Sequence, residues 1–123
     1  MPGKSLLAAP SQTSARDYVP CVDYSSYWFK MRLHPRTCTI GGVYGYQQID
    51  LARMRWRSWG GATSYGRGIT LNNGGIRGRI RVTLYRRKYR QDGLPGLAYA
   101  RARFVSRVLG HTHRGVLRLR QHY

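Results

Sequence analysis

The sequence predicts an all-β fold, either a small antiparallel sandwich or a barrel, with an extended N-terminal arm and a basic C-terminal tail. Three observations support this prediction. Apolar residues alternate with charged residues at the period of two that is typical of strands with one buried face. Clusters of glycine, asparagine, aspartate and proline separate the alternating runs. The length of 123 residues suits one domain with a modest core.

The chain divides into three predicted parts. Residues 1–23 are expected to form an extended arm, because proline, glycine and serine accompany little apolar periodicity there. Residues 24–106 are expected to form the β domain. Residues 107–123 form a basic C-terminal segment, which we expect to order on a partner.

Five runs show the alternation, and each is predicted to be a strand with its apolar side chains facing the core. They cover residues 29–34, 52–57, 79–85, 100–104 and 117–120. In the second run Ala52, Met54 and Trp56 are expected to face inward. A helix over residues 99–109 is the competing interpretation, but a helix would scatter its arginines around the cylinder. Turns are predicted at residues 41–42, 60–61, 72–75 and 91–96.

The charge of the chain is strongly unbalanced. Lysine and arginine number 22, of which 19 are arginine, against four aspartates and no glutamate, so the formal net charge is +18. Self-repulsion of this size destabilises a small domain unless a partner neutralises it. The charge therefore predicts contact with a polyanion, and a solvated positive surface without a partner is the alternative.

The alternation places cationic side chains together on the outward face of the predicted sheet. The expected face comprises Lys30, Arg32, Arg53, Arg55, Arg57, Arg79, Arg81, Arg101 and Arg103, with Trp28, Tyr85 and Tyr99 at its edges. Arginine pairs bidentately with phosphate and stacks on bases, and tyrosine or tryptophan adds a stacking surface. The alternation leaves open whether these residues lie on one sheet or on two sheets whose outer faces point apart.

A second basic cluster is predicted to project as a finger from a hairpin loop. It consists of Arg86, Arg87, Lys88, Tyr89 and Arg90, and no acidic residue lies between Asp50 and Asp92 to balance it. We expect this loop to contact phosphate, with a solvated loop tip as the alternative.

The sequence predicts no metal site and no cofactor. Cys21 and Cys38 permit one disulfide or two free thiols, and their spacing does not resemble a zinc site. His111 and His113 form a His-x-His pair, but two ligands without nearby cysteine or carboxylate do not make a site. We expect these histidines to lie in a loop or at a phosphate.

No nucleophile-elbow, Walker or paired-carboxylate pattern occurs, so the chain is expected not to be an enzyme. The remote alternative is a metal-independent ribonuclease that uses His34, His111, Tyr89 and Arg87.

The sequence also bears on membranes and localisation. No stretch approaches the roughly 18 apolar residues that a transmembrane helix needs, so we expect no membrane span. The apolar run at residues 6–9 is too short for a secretory signal. The expected location is cytoplasmic or virion-associated, or extracellular if the chain has already been processed.

The segment from residue 34 to about residue 103 resembles a family of small, mostly secreted and largely uncharacterised β-rich proteins of actinobacteria and their phages. The resemblance rests on HPRTCTIGG, LARMRWRSWGGATSYGRG, IRVTLYRRK and YARARF. The family positions correspond here to Pro35, Cys38, Leu51, Met54, Trp56, Trp59 and Gly60. The resemblance implies an all-β domain and no particular function. The further cysteines of the family after the tryptophan motif are absent, and Asn72 and Asn73 stand in that region.

From these observations we expect a non-enzymatic protein that binds a polyanion, nucleic acid above all, by its phosphate backbone and with low sequence specificity. Two alternatives stay open. The first is a component of a virion or another large assembly that contacts an acidic protein surface or packaged nucleic acid. The second is a secreted protein attracted to anionic envelope polymers, which an intact disulfide between Cys21 and Cys38 would favour.

Overall fold

Eight β-strands and no helix make up the part of the chain that the computed structural model describes, which is residues 16–42, 47–71 and 77–123. The strands are β1 (Asp17–Cys21), β2 (Lys30–Arg32), β3 (Cys38–Gly41), β4 (Gln48–Ser58), β5 (Thr63–Leu71), β6 (Arg77–Tyr89), β7 (Leu97–Val108) and β8 (His111–Arg118). The predicted all-β class is confirmed. The predicted turn at residues 72–75 and most of the predicted arm lie outside the described residues.

The strands form one curled, half-barrel sheet. Its order is β2-β1-β7-β6-β5-β4-β3, and β8 pairs with β7 beside this path. The start of β7 pairs in parallel with β1, and the rest of β7 pairs antiparallel with β8. A disulfide between Cys21 of β1 and Cys38 of β3 joins strands near opposite ends of this order. The curl therefore brings distant edges of the sheet together around a single core.

The core lies on one face of the sheet, where the alternating apolar side chains meet. Its buried members come from six strands and the residue Leu119 just after β8: Val19, Cys21, Cys38, Ile40, Leu51, Met54, Ile80, Val82, Leu84, Tyr99, Ala102, Leu117 and Leu119. Trp56, predicted to be a core residue, is partly buried and packs against this cluster. Gly66 makes room for its ring, because a Cβ at Gly66 would lie 2.5 Å from Cε3 of Trp56. A closely packed interior leaves no space for such an overlap.

The predicted boundaries of the domain are wrong at both ends. Residues 17–21, expected in the arm, form β1, which supplies buried Val19 and Cys21 to the core. Residues 107–123, expected to be a basic segment that orders on a partner, complete β7, form β8 and bury Leu117 and Leu119 within the fold itself. Both segments are folded because they cover apolar surface that the central strands would otherwise expose to water.

The alternation in β4 is interrupted, so one predicted core position is wrong. Ala52 pairs with Ile69 and Arg55 pairs with Arg67, which leaves two residues of β4 opposite one residue of β5. This is a β-bulge, and Arg53 within it has a positive φ of 50°. Leu51 and Met54 are buried on either side of it, whereas Ala52 is only partly buried.

The predicted basic finger is also wrong, because residues 86–89 belong to the 13-residue strand β6 rather than to a hairpin loop. The turn to β7 comes later, at residues 90–96. Arg86 has a positive φ of 59° and interrupts the regular pairing with β7.

Candidate functional site

Seven arginines line one depression on the sheet face opposite the core. The depression has a volume of about 590 Å³. Five neighbouring strands, β4 to β8, supply its basic side chains: Arg53, Arg55, Arg67, Arg79, Arg81, Arg107 and Arg114. We call this surface the arginine depression.

The strand register sets these arginines directly beside one another. Arg55 pairs with Arg67, and Arg67 pairs with Arg81, so three adjacent strands carry arginine in one row. In the next row Arg79 pairs with Arg107. Neighbouring strands lie about 4.8 Å apart. Like charges at directly opposite positions destabilise a sheet, so the folded protein holds this arrangement against repulsion.

Acidic side chains do not neutralise the depression. Within the described ranges the two ion pairs join Arg87 to Asp17 at 3.0 Å and Arg90 to Asp92 at 2.6 Å, and neither pair lines the depression. Asp23 bonds with Ser25, and the Asp50 carboxylate accepts a hydrogen bond from Thr39. The four aspartates of the chain are thus all outside the depression.

The arginines of the depression have few partners of any kind. Nη1 of Arg107 donates a hydrogen bond to Oγ1 of Thr112 at 3.2 Å. The side chains of the other six arginines make no hydrogen bond or ion pair with any residue that the structure describes. Their guanidinium groups therefore have donors available for an external anion.

The positive surface continues along β7 and β8 beyond the depression. Alternate residues of a strand share a face, so Arg101 and Arg103 follow Arg107 on the outward side of β7. The guanidinium of Arg103 lies 5.0 Å from the ring centroid of Tyr85, a cation–π contact. Arg101 pairs directly with Arg118 of β8.

The structure therefore brings together some of the predicted face and separates the rest. Arg53, Arg55, Arg79 and Arg81 line the depression, and Arg101, Arg103 and Tyr85 flank it. Arg57 is exposed on β4 but does not line it. Lys30 and Arg32 lie on β2, at the far end of the strand order. Arg86, Arg87, Lys88 and Arg90 lie at the end of β6 that leads to the 90–96 turn.

The placement of Tyr99 on the exposed face is wrong. Tyr99 is fully buried. Its hydroxyl donates to the carbonyl oxygen of Gly61 at 2.9 Å and lies 2.8 Å from Oγ of Ser64. Burial raises the pKa of the Tyr99 hydroxyl above its ordinary value, and the nearby charge of Asp17 adds to the shift. Tyr99 is a structural residue and cannot stack on a ligand.

Three arginines of the depression were not predicted from the sequence, namely Arg67, Arg107 and Arg114. Glycines 66 and 68 occupy the inward positions beside Arg67, so the apolar alternation that marks a strand is hidden there. Gly115 similarly makes room for the ring of Phe104 next to Arg114. The sequence nonetheless contains a pattern that indicates this strand, because Tyr65, Arg67 and Ile69 alternate with small residues.

The predicted ribonuclease groups do not form a cluster. His111 pairs with Val108 at one end of β7, whereas Arg87 and Tyr89 pair with residues at its other end. His34 packs edge-to-face on Trp59 at a centroid distance of 5.9 Å. The His111 and His113 pair lies on β8 rather than in a loop. No three His, Cys or Asp side chains gather into a metal-binding group within residues 16–42, 47–71 and 77–123.

Of the two ion pairs that the described residues form outside the depression, the one between Arg90 and Asp92 is a two-pronged fork. Nε and Nη2 of Arg90 donate to the two carboxylate oxygens at 3.1 and 2.6 Å. These bonds hold the pKa of the Asp92 carboxyl below its ordinary value. The contact stabilises the β6–β7 turn. It also occupies the Arg90 guanidinium, which is then not available to an external anion.

The described ranges contain no helix capable of crossing a membrane. In comparison with known proteins, the chain matches no family model, no curated protein and no solved structure.

Proposed function

We propose that this protein is a non-enzymatic binder of polyanions, and that its ligand is nucleic acid, held by the phosphate backbone with low sequence specificity. One observation supports the proposal above the others. Seven arginines from five strands line a single depression, and the four aspartates of the chain all lie elsewhere.

The chemistry of guanidinium favours this ligand. Each arginine presents a planar fork of donors that matches the oxygens of a phosphate, and the charge-assisted bonds are about twice as strong as neutral ones. The depression is built on paired strands, so the backbone positions of its arginines are set before a ligand arrives. Contacts to phosphate position a protein on nucleic acid without reading its sequence, which is why low specificity is proposed.

The second candidate is a secreted protein that binds anionic envelope polymers through the same depression. The disulfide between Cys21 and Cys38 favours it, because disulfides persist mainly in oxidising compartments and on virion or cell surfaces. A component of a large assembly that contacts an acidic protein is the third candidate, and polyglutamate represents such a partner in the binding experiment.

The test is fluorescence anisotropy with labelled single-stranded DNA, duplex DNA, RNA and polyglutamate, each titrated at several salt concentrations. If six phosphates are neutralised, log K should fall with log salt at a slope of about −5 on duplex DNA. The R55Q/R67Q/R81Q variant removes one row of the depression and keeps the aliphatic stems. We expect it to reduce the slope by about 2 to 3.

The matched control is K30Q/R32Q/R36Q, which removes the same formal charge from exposed residues outside the depression. This control should change the slope by less than about 1. Equal losses in both variants would contradict the depression as the binding site. Tighter binding to polyglutamate than to every nucleic acid would contradict the choice of ligand and favour an acidic protein partner.

A further inference from the structure

A second surface of unusual chemistry lies apart from the arginine depression. The rings of Tyr27, Trp28 and His122 pack on one another: Tyr27 stacks on His122 at 5.1 Å with an interplanar angle of 9°. The ring of Trp28 is nearly perpendicular to both, at centroid distances of 5.4 Å from Tyr27 and 5.2 Å from His122. We call these three rings the aromatic platform.

The platform is held by backbone pairing rather than by a loose loop. Trp28 forms an antiparallel bridge with His122. On either side of this bridge, Phe29 N–H donates to the Gln121 carbonyl at 2.9 Å, and Tyr123 N–H donates to the Tyr27 carbonyl at 3.1 Å. Phe29 is buried beneath, which anchors the segment to the body of the protein. The backbone positions of the three residues are therefore set before any ligand binds.

The platform nevertheless exposes much of its aromatic surface. Tyr27 is 56% exposed and Trp28 is 37% exposed. His122 covers one face of the Tyr27 ring, so a flat group on the other face would extend the stack by one layer. Large aromatic side chains usually bury such area, and clustered exposed aromatics mark a binding surface.

The charge next to the platform favours an anionic ligand. A shallow depression of about 180 Å³ adjoins it, lined by His122 itself together with Lys88, Arg118 and Arg120. Arg118 pairs with Arg101 of β7, and Arg101 and Arg103 lead along that strand to Arg107 in the arginine depression. Six residues of a strand cover about 20 Å. A basic surface thus runs between the depression and the platform.

We propose that the aromatic platform stacks on exposed nucleobases, so that the preferred ligand is single-stranded nucleic acid whose backbone follows the basic surface toward the arginine depression. The inference rests on the proposed function and adds a substrate class to it. A duplex hides the faces of its bases within the stack, whereas a single strand presents them. Aromatic stacking together with a basic groove is the general mode of binding single strands without sequence preference.

The test compares three labelled probes, each titrated at the same series of salt concentrations: a single-stranded thymidine oligomer, an oligomer of equal length whose sugars lack bases, and a duplex. The native protein should bind the thymidine oligomer about tenfold more tightly than the abasic one, as expected for one stacked base. The Y27A/W28A variant should lose this preference while keeping its affinity and salt slope for the abasic oligomer. Tyr89→Ala, which removes another exposed aromatic ring outside the platform, should keep the preference.

Intrinsic fluorescence gives a readout that does not depend on affinity. The indole N–H groups of Trp56 and Trp59 bond to the carbonyls of Pro35 and Asp17, and both rings pack against the core. Trp28 is the more exposed indole. The thymidine oligomer should quench the tryptophan emission, and the abasic oligomer should quench it less. In Trp28→Phe this difference in quenching should disappear. The tenfold preference in affinity should remain, because the phenylalanine ring can still stack on a base.

The outcomes separate the two proposals. Equal affinity of the native protein for thymidine and abasic oligomers, with a steep salt slope for both, would overturn the platform inference and leave polyanion binding in place. Salt-dependent binding to none of the probes would overturn the proposed function as well. If Y27A/W28A unfolds, shown by its circular dichroism, the comparison of oligomers with the native protein and the quenching difference in Trp28→Phe still decide the inference.

Discussion

At the scale of single residues, the hydroxyl of Tyr99 links two segments of the fold through hydrogen bonds in the core. It donates its one proton to the Gly61 carbonyl, so the Ser64 hydroxyl must donate to it. Oγ of Ser64 in turn accepts the N–H of Gly60 at 2.8 Å. This chain of bonds ties β7 to the turn between β4 and β5, and it satisfies the buried hydroxyls of Tyr99 and Ser64.

The stability of the protein should therefore depend on Tyr99 at alkaline pH. Because its pKa is raised in the folded state, the folded protein holds the phenolic proton more tightly than the unfolded chain does. The contribution of this proton to the free energy of unfolding is complete at a pH below 10.0, the ordinary pKa of tyrosine. It is lost as the pH rises through the higher pKa of the folded state. At pH 7 we expect Tyr99→Phe to lower the free energy of unfolding by about 1 to 3 kcal/mol, because Gly61 and Ser64 lose their partner.

Urea unfolding of both proteins between pH 7 and pH 11 measures this effect. The difference between native protein and Tyr99→Phe should shrink above pH 10, since ionisation of Tyr99 penalises only the native protein. Tyr89→Phe serves as control, because Tyr89 is 83% exposed and its variant should follow the native protein at every pH. A difference for Tyr99→Phe that stays constant across the range would contradict the prediction.

At the scale of strands, closure of the curled sheet depends on the contact between β1 and β3. The disulfide links Cys21 to Cys38 across 17 positions of sequence, and Val22 N–H donates to the Thr39 carbonyl at 2.8 Å beside it. A crosslink of this loop length restricts the unfolded chain by an amount equivalent to about 3 kcal/mol. We expect C21A/C38A to lose about that much in urea unfolding. A loss below about 1 kcal/mol would show that backbone pairing alone closes the sheet.

Reduction supplies the control for this prediction. The native protein in the presence of a thiol reductant should approach the stability of C21A/C38A, whereas the variant should be indifferent to the reductant. A variant that responds to the reductant would mean that something other than the disulfide is being changed.

The strands also show how far sequence periodicity could predict this fold. Runs such as Ile80, Val82 and Leu84 have one buried and one exposed face, so their alternation correctly predicted a strand over residues 79–85, the middle of β6. The pattern failed where both faces are covered: Val19, Pro20 and Cys21 of β1 are buried in succession, as are Ala98, Tyr99 and Ala100 of β7. Leu119, which follows β8, lies beside that part of β7, and its N–H donates to the Ala100 carbonyl. Such distant coverage leaves no local trace in the sequence.

The sequence predicted the basic character of the candidate site, but only some of the residues that form it. Arg55 and Arg81 follow from alternation, but their neighbour Arg67 lies between two glycines that hide its strand. The aromatic platform was not predicted either, although Trp28 was placed at the edge of a basic face. It depends on pairing between residues 27–29 and 121–123, nearly 100 positions apart, which only the folded chain reveals.

At the scale of the whole molecule, a formal charge of +18 on 123 residues opposes folding through self-repulsion. Part of this repulsion acts between the arginines of the depression, which are the groups proposed to bind phosphate. Binding sites commonly carry such a cost in stability. If the depression is one of them, the free protein should become more stable when its charges are removed. At low salt we expect R55Q/R67Q/R81Q to melt several degrees above the native protein, because directly opposed guanidinium groups are eliminated.

The melting temperatures should respond to ligand in the opposite direction. At a free nucleic-acid concentration 100 times the dissociation constant, binding stabilises the native protein by about 2.7 kcal/mol, which raises its melting temperature by roughly 10 °C. The R55Q/R67Q/R81Q variant should gain much less, so that the order of stability reverses when ligand is added. K30Q/R32Q/R36Q lowers the net charge equally, and it should show a smaller gain when free and keep its response to ligand. A variant of the depression that is less stable than the native protein in both conditions would mean that its arginines support the fold, and the repulsion argument for a binding site would fail.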